Sequence, residues 1–406
     1  MRPIAARRYY LFFTRNVLPQ PRADLVQVTN CANAAANLGY PTVLAYLQRD
    51  RANNPSRWIR PRLQLLDANL RQFYSLQDQL QVLPLAVPQW CDRVSLLHPS
   101  TIACKYYLPL HLKSMTRLVH TRDWNFAKAA IQNGIAAIYE HHHHEDKQFE
   151  AAIVQHPLFQ LAVTVADSVR DQMIEQGMPP DKVVKIHNGF NRAFLDRHPQ
   201  AAQAWRDRLL TSNFQHLVVY AGALYPFKGV DLLLEVAAAM PEVKFAFAGG
   251  SADQVQSYEQ QMRDRSLQNV VFLGFLPQDQ LTSLLQAADV LAHPHISGAA
   301  STFTSPLKFF EYLAAGRPIV ATKIASLQEF RSADVVAQWC EPDNPVQFRQ
   351  CLQQVLANQP DRLSGADRES GALSDRLLKF VQQFSWENRI VKILSYVEPI
   401  HQPQLS

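Results

Sequence analysis

Apolar positions fall along the chain in short runs that alternate with longer amphipathic stretches, and Gly, Pro or Asn stands at many of the junctions. Tyr9 to Thr14 reads as a strand, Leu18-Pro19-Gln20-Pro21 as a loop, Ala23 to Leu38 as a helix ended by Gly39, and Thr42 to Leu47 as a second strand. Strand, turn, helix, strand is a βαβ unit, because parallel strands need a crossover that a helix supplies. Residues 50 to 100 are polar and Gln-rich and are expected to form a helical or irregular insertion. Further strands are expected around Leu118-Val119-His120 and at Ile135 to Glu140, Leu161 to Val165 and Val183 to Ile186, with a helix through Ala130 that is broken at Gly134.

The second half is more regular. His216 to Ala221, Val243 to Ala248, Val270 to Leu273, Val290 to His293 and Ile319 to Thr322 read as strands. Val230 to Met240, Leu281 to Ala287 and Pro306 to Ala315 read as helices between them. The alternation predicts a second doubly wound α/β unit, and His187-Asn188-Gly189 supplies a turn at the junction. Two such domains facing each other leave a cleft, and open parallel sheets bind ligands outside their strand C-terminal ends.

Composition narrows the function classes. The 406 residues are 47% hydrophobic and 18% charged, which gives a globular chain long enough for two cores. Forty Lys and Arg against 35 Asp and Glu leave a formal charge of +5, an excess suited to an anionic small molecule or membrane surface. It lacks the dense basic clusters of a nucleic-acid binder, so no nucleic-acid partner is expected. The five cysteines are scattered without CxxC spacing and read as reduced thiols. The run Tyr9 to Phe13 ends at Arg15, short of a signal-peptide core, and no apolar stretch reaches membrane-spanning length, so a cytoplasmic location is expected.

Two segments carry the candidate chemistry. In Gly222-Ala223-Leu224-Tyr225-Pro226-Phe227-Lys228-Gly229, between a strand and a helix, Gly222 lets the backbone approach a ligand and Lys228 stands where phosphate oxygens would lie. The plain alternative is an ordinary βα turn with a surface lysine. In Ser301 to Ala315, small polar residues precede Pro306, expected at the first helical position, so free amides at the helix start suit a diphosphate. Lys308 adds a full charge one turn in. Glu311, three residues further on the same face, suits ribose hydroxyls. A surface Lys–Glu pair is the alternative there.

The stretch from about Leu217 to Glu329 resembles the nucleotide-sugar domain of the family 4 retaining glycosyltransferases. The resemblance rests on Ser305-Pro306-Leu307-Lys308 and Glu311-Tyr312-Leu313-Ala314-Ala315-Gly316-Arg317-Pro318-Ile319-Val320, with Ala288-Asp289-Val290, Phe272 to Leu276 and Ser385-Trp386-Glu387-Asn388-Arg389 in support. It implies an α/β protein of the GT-B fold, two facing Rossmann-like doubly wound domains with a cleft between them. Residues 1–190 would receive the acceptor and residues 191–384 the nucleotide sugar, while a helix near 385–400 returns to the first domain. It implies further that Lys228 meets the diphosphate and Glu311 the ribose. The backbone of Thr304, Ser305, Pro306, Leu307 and Lys308 would cradle phosphate, and the main chain at Phe275 and Leu276 would meet the base. Two positions depart from the pattern: Ala223 replaces a frequent arginine and Phe303 a frequent glutamate.

In Tyr139-Glu140-His141-His142-His143-His144-Glu145-Asp146, imidazoles and carboxylates are of metal-ligating type, but along a strand at most His142 and His144 converge. The resemblance places His142 at the transferred sugar, with catalytic weight shared by Lys228 and Glu311 and with His141 and His144 beside the acceptor; no metal or other cofactor is expected. Arg122 and Arg170 follow strand ends and suit bidentate contact with an acceptor phosphate, or else salt bridges with Asp123 and Asp171.

Three functions remain open. The first is transfer of a hexose, glucose from UDP-glucose, to a phosphorylated sugar such as fructose 6-phosphate, as in short sucrose-phosphate synthases. The second is a peripheral membrane enzyme with a lipid or polysaccharide acceptor, disfavoured because the arginines at 57, 60, 62 and 71 flank Pro61 without a wide apolar face. The third is a non-catalytic nucleotide- or sugar-binding module.

Overall fold

The computed structural model describes residues 8–50, 59–77, 79–88, 99–211, 213–298, 301, 306–358 and 375–405. The chain divides into two compact units, Met1–Asn188 together with Trp386–Ser406, and Gly189–Ser385.

The first unit is built on an eight-stranded sheet in the order β3-β4-β2-β1-β5-β6-β7-β8. Its strands are β1 (Tyr9–Thr14), β2 (Thr42–Asp50), β3 (Gln64–Leu65), β4 (Gln81–Pro88), β5 (Thr116–Thr121), β6 (Ala136–Glu140), β7 (Phe159–Thr164) and β8 (Val183–Lys185). All pairs are parallel except β3 with β4. Parallel strands covered on both faces need apolar side chains at every position rather than at alternate ones, and β1 is buried almost throughout. Helices α1 (Ala23–Asn37) and α2 (Trp124–Gln132) follow β1 and β5, and Asp123 caps α2 by accepting from Phe126 N.

The segment 50 to 100 corrects the expectation of an insertion. It contributes β4, which pairs with β2 over eight residues from Val43↔Gln81 to Asp50↔Pro88. Pro84 and Pro88 hid that strand, since proline is poorly tolerated inside a ladder. Here β4 lies next to the sheet edge, and β3 covers only Gln81 and Val82.

The second unit carries six parallel strands in the order β11-β10-β9-β12-β13-β14. They are β9 (His216–Ala221), β10 (Val243–Ala248), β11 (Val270–Gly274), β12 (Val290–His293), β13 (Ile319–Thr322) and β14 (Gln338–Cys340). Alternate residues of β9 enter opposite cores: Leu217, Val219 and Ala221 pack on one face, Val218 and Tyr220 on the other. The helices that position the site are α3 (Val230–Ala238) after β9 and α4 (Leu307–Ala315) before β13. Among the described residues, no helix is long and apolar enough to cross a membrane.

Helix α5 (Trp386–Leu394) belongs to the first unit, where it packs on α1. Its Arg389 lies 2.8 Å from Glu140 at the end of β6, both fully buried, and donates also to the His187 carbonyl at 2.9 Å. Removing one partner of a buried pair leaves the other charge without compensation, at about 3–5 kcal/mol. Arg389→Met is therefore expected to lower the unfolding free energy by about that amount in a denaturant titration that follows the first unit.

Candidate functional site

In the second unit the loops after β9, β10 and β11 come together through main-chain bonds: Gly222 N donates to Ala248 O at 2.9 Å and Gly249 N to Gly274 O at 2.7 Å. A Cβ on Gly249 would lie 2.1 Å from the Gly222 carbonyl oxygen, so this approach of two backbones requires glycine. Beyond them the Phe275 ring stands exposed, whereas Leu276 turns into the core.

Lys228 ends a short 3₁₀ turn, Pro226–Lys228, and Gly229 follows with φ +74° before α3 begins. A Cβ at Gly229 would fall 1.9 Å from the Pro294 carbonyl oxygen, so the loop is pressed against the end of β12 and the Lys228 side chain is half-buried there. Its ammonium lies over the Phe227 ring, 5.0 Å from the centroid. Among the described residues no carboxylate lies within 4.0 Å of it. Burial first, and the Lys308 charge second, push its pKa down to about 8.

Helix α4 starts one residue later than expected, with Pro306 as its N-cap (φ −79°, ψ 37°) and Leu307 as the first helical residue. A ψ of this size keeps Pro306 out of the helical well. Among the described residues no side chain caps this end, and the first main-chain bond to close is Phe310 N to Pro306 O at 3.2 Å. At the other end Gly316 adopts φ +74°, and the Arg197 guanidinium donates to the Ala314 and Ala315 carbonyls at 2.9 Å each. The Tyr312 hydroxyl accepts from Ala221 N at 2.6 Å and fixes α4 to the end of β9. Lys308 Nζ meets Glu311 Oε2 at 2.7 Å, with Glu311 buried and Lys308 half-buried. Thr304 and Ser305 lie outside the described residues.

His293 and His295 were not singled out from sequence, although the spacing Ala292-His293-Pro294-His295 after a buried strand marks them. Both are buried, with ring centroids 4.0 Å apart. Burial, then Lys228, lower the His293 pKa to about 3, and burial, then His293, hold His295 well below its usual value. Lys228 thus sits against uncharged imidazoles, which do not offset its charge.

In the first unit Glu140 is surrounded by four donors. His120 Nε2 (2.7 Å) and Arg389 Nη1 (2.8 Å) reach Oε1, while Gln27 Nε2 (2.6 Å) and His142 Nε2 (2.8 Å) reach Oε2. Burial alone would raise this carboxyl, but Arg389 and His120 outweigh it and hold the pKa well below the usual range. Arg122 Nη1 lies 2.8 Å from His142 Nδ1. A guanidinium can only donate, so Nδ1 accepts and the His142 proton sits on Nε2, facing Glu140. Burial, then Arg122, push the His142 pKa to about 3.

The pairing of the histidines is the reverse of that expected. The strand ends at Glu140, and beyond it His141 and His143 converge, ring centroids 4.7 Å apart, rather than His142 and His144. Residues two apart still share a side beyond β6: His142 turns back to Glu140 at 2.8 Å, while His141 stacks on Tyr139 and meets His143. His141, His143 and Glu145 have ligand-type atoms within 4.8 Å of one another. His144 is exposed, with Nδ1 2.9 Å from Gln172 Oε1. Arg170 lies 3.5 Å from Asp171 and donates to the Val183 carbonyl, which matches the salt-bridge alternative; Arg122 pairs with no carboxylate among the described residues.

The depression of Lys228 has two causes that mutation separates. Lys308→Met removes the repulsion and leaves the burial, so the Lys228 titration, followed by NMR of ¹³C-methylated lysines, is expected to move up from about 8 while staying below the ordinary lysine value near 10.5.

Residues 215–358, which span β9 to the helix after β14, match the sequence profile of the family described as Glycosyl transferases group 1. A D-inositol 3-phosphate glycosyltransferase of Corynebacterium aurimucosum is 25% identical over 240 residues, 56% of this chain and 53% of that protein. The chain spans about half the length of the curated relatives it matches. Among solved structures, Anabaena Alr3699/HepE in complex with UDP and glucose aligns at a TM-score of 0.65 with 18% identity, covering 96% of this chain and 100% of that one. A sucrose-phosphate synthase from Thermosynechococcus elongatus aligns at 0.64 with 16% identity, covering 96% and 98%. Likeness of that extent at that identity identifies the architecture: the chain has the GT-B fold.

Proposed function

We propose that this protein is a retaining glycosyltransferase that moves a hexose, glucose from UDP-glucose, to a phosphorylated sugar, with fructose 6-phosphate as acceptor and sucrose 6-phosphate as product. The observation that carries the reading is Lys228: a half-buried ammonium beside Lys308 and the start of α4, with neither a carboxylate partner for the lysine nor a side-chain cap for the helix among the described residues. Two positive side chains and free helix amides suit a diphosphate. The group 1 match over this region and the UDP-bound HepE neighbour support a nucleotide-sugar donor. The sucrose-phosphate synthase neighbour and the inositol-phosphate relative support an acceptor that bears phosphate.

In this reading Glu311 receives the ribose, the main chain of Phe275 and Leu276 the base, and Gly222 with Pro306, Leu307 and Lys308 the diphosphate. As the glycosyl–oxygen bond breaks, negative charge grows on the departing β-phosphate. Lys228, Lys308 and the α4 amides meet it there, which lowers the barrier rather than only tightening binding. On the sugar side we assign His142, flanked by His141 and His143. Because the Nδ1 atom of His142 already accepts from Arg122, a sugar hydroxyl reaches that nitrogen only by replacing the guanidinium.

Two measurements test this. UDP release from UDP-glucose is expected only with fructose 6-phosphate present, and Glu311→Gln is expected to lower kcat/KM by roughly 10- to 100-fold, the range of one or two lost charge-assisted hydrogen bonds. Release with a lipid acceptor instead, or UDP binding with no turnover, would exclude the reading. Lys228 is charged below about pH 8 in the free protein, and a bound diphosphate favours the charged form. UDP affinity measured by calorimetry should therefore be highest below pH 8 and fall above it, and Lys228→Met should flatten that dependence.

A further inference from the structure

A cavity of about 260 Å³ opens in the first unit and is lined by Arg15, Arg122, Lys147, His141, His143 and Glu145 among others. Three of these side chains are cationic. The carboxylates on the same wall are each engaged: Glu140 by its four donors, Asp123 by Phe126 N and Ser100 Oγ, and Glu145 by Lys147 Nζ at 2.9 Å. Arg15, exposed at the end of β1, and Arg122, half-buried at the end of β5, have no carboxylate within 4.0 Å among the described residues. Arg122 gives one N–H to a neutral imidazole and keeps the rest of its donor fork uncommitted.

We propose that this cavity is a binding site for a single phosphate-type anion, held by Arg15 and Arg122 with His143 and Lys147 at its rim. The inference rests on the reading of the first unit as the acceptor's. It deepens that reading by adding Arg15, Lys147 and His143 and by removing Arg170, whose guanidinium is spent on Asp171 and the Val183 carbonyl. The geometry of His141, His143 and Glu145 also admits a divalent cation. Charge decides between the two. A cation there would have to displace Lys147 from Glu145 and bear the repulsion of the nearby Arg122 charge, whereas an oxyanion meets cationic donors in the same lining. The planar guanidinium of Arg122 offers the paired N–H geometry that fits phosphate oxygens bidentately.

The test is calorimetric titration of the full chain with inorganic phosphate at low ionic strength, with UDP present to fill the site of the second unit, repeated on Arg15→Gln, Arg122→Gln and the exposed control Lys392→Gln. Saturable binding is expected, weakened at least 5-fold by Arg15→Gln, abolished by Arg122→Gln and unchanged by Lys392→Gln. Arg15 is exposed, so its replacement keeps the test valid even where Arg122→Gln fails to fold. Phosphate affinity untouched by Arg15→Gln, or reduced as much by Lys392→Gln, overturns the proposal, as does stoichiometric binding of ZnCl₂ that disappears in His143→Ala. Because the titration needs neither UDP-glucose nor turnover, an enzyme that rejects fructose 6-phosphate but binds phosphate in this way refutes the acceptor assignment and leaves the site standing.

Discussion

Positive charge held partly out of water, with no carboxylate alongside, is the constraint on which the functional half of this protein depends. Taking an ammonium from water is unfavourable, and the usual remedy is a paired acid. Lys308 has that remedy in Glu311; Lys228 does not have it among the described residues, and its lowered pKa is the mark. Unit charges about 4 Å apart interact by about 4 kcal/mol at an effective dielectric near 20, so a diphosphate in contact offsets desolvation of this order. The start of α4 adds typically 0.3–1 kcal/mol for each favourably placed charge. The lysine therefore outweighs the helix dipole, and the helix contributes mainly the direction of its amides.

The scaffold maintains this unfavourable arrangement by removing alternatives. Gly229 lets the lysine loop lie against the Pro294 carbonyl, and Gly249 lets the β10 loop lie against the Gly222 carbonyl. Tyr312 ties α4 to the end of β9, and Arg197 caps its far end. The two histidine neighbours of Lys228 stay neutral for the same reason the lysine is strained, namely burial.

What could be read from sequence follows from how local each cause is. Five strands of the second unit were legible because fully covered parallel strands are unbroken apolar runs, and Lys228 in the loop after β9 and Lys308 and Glu311 in α4 stood in a recognisable order; the three-residue β14 was too short to stand out. The strand Gln81–Pro88 was not, since its prolines are admissible only because of its position near the sheet edge, a fact of topology. The histidine pair was expected on the wrong side of the chain, because which side is occupied is set by tertiary partners: Glu140 takes His142, and Tyr139 takes His141 with His143 beside it. His293 and His295 carry no signal beyond type and spacing until the fold buries them beside Lys228. Glu140 drew no attention as a residue in its own right, because its four partners, Gln27, His120, His142 and Arg389, lie up to 249 positions away along the chain.

Glu140 and Arg122 stand at the ends of neighbouring strands, β6 and β5, and their environments separate a structural charge from a functional one. Glu140 accepts hydrogen bonds from His120, Arg389 and Gln27, His142 Nε2 lies 2.8 Å from its Oε2, and a cation from α5 balances its charge. Nothing further can approach it, and its role is to join α1, β5, β6 and α5 into one body. Arg122 touches that network through a single neutral imidazole and holds its other donors toward the cavity. The four full partners of Glu140 make the incompleteness of Arg122 informative. In our proposal the neighbouring guanidinium, which has no carboxylate partner among the described residues, is the one that takes a phosphate.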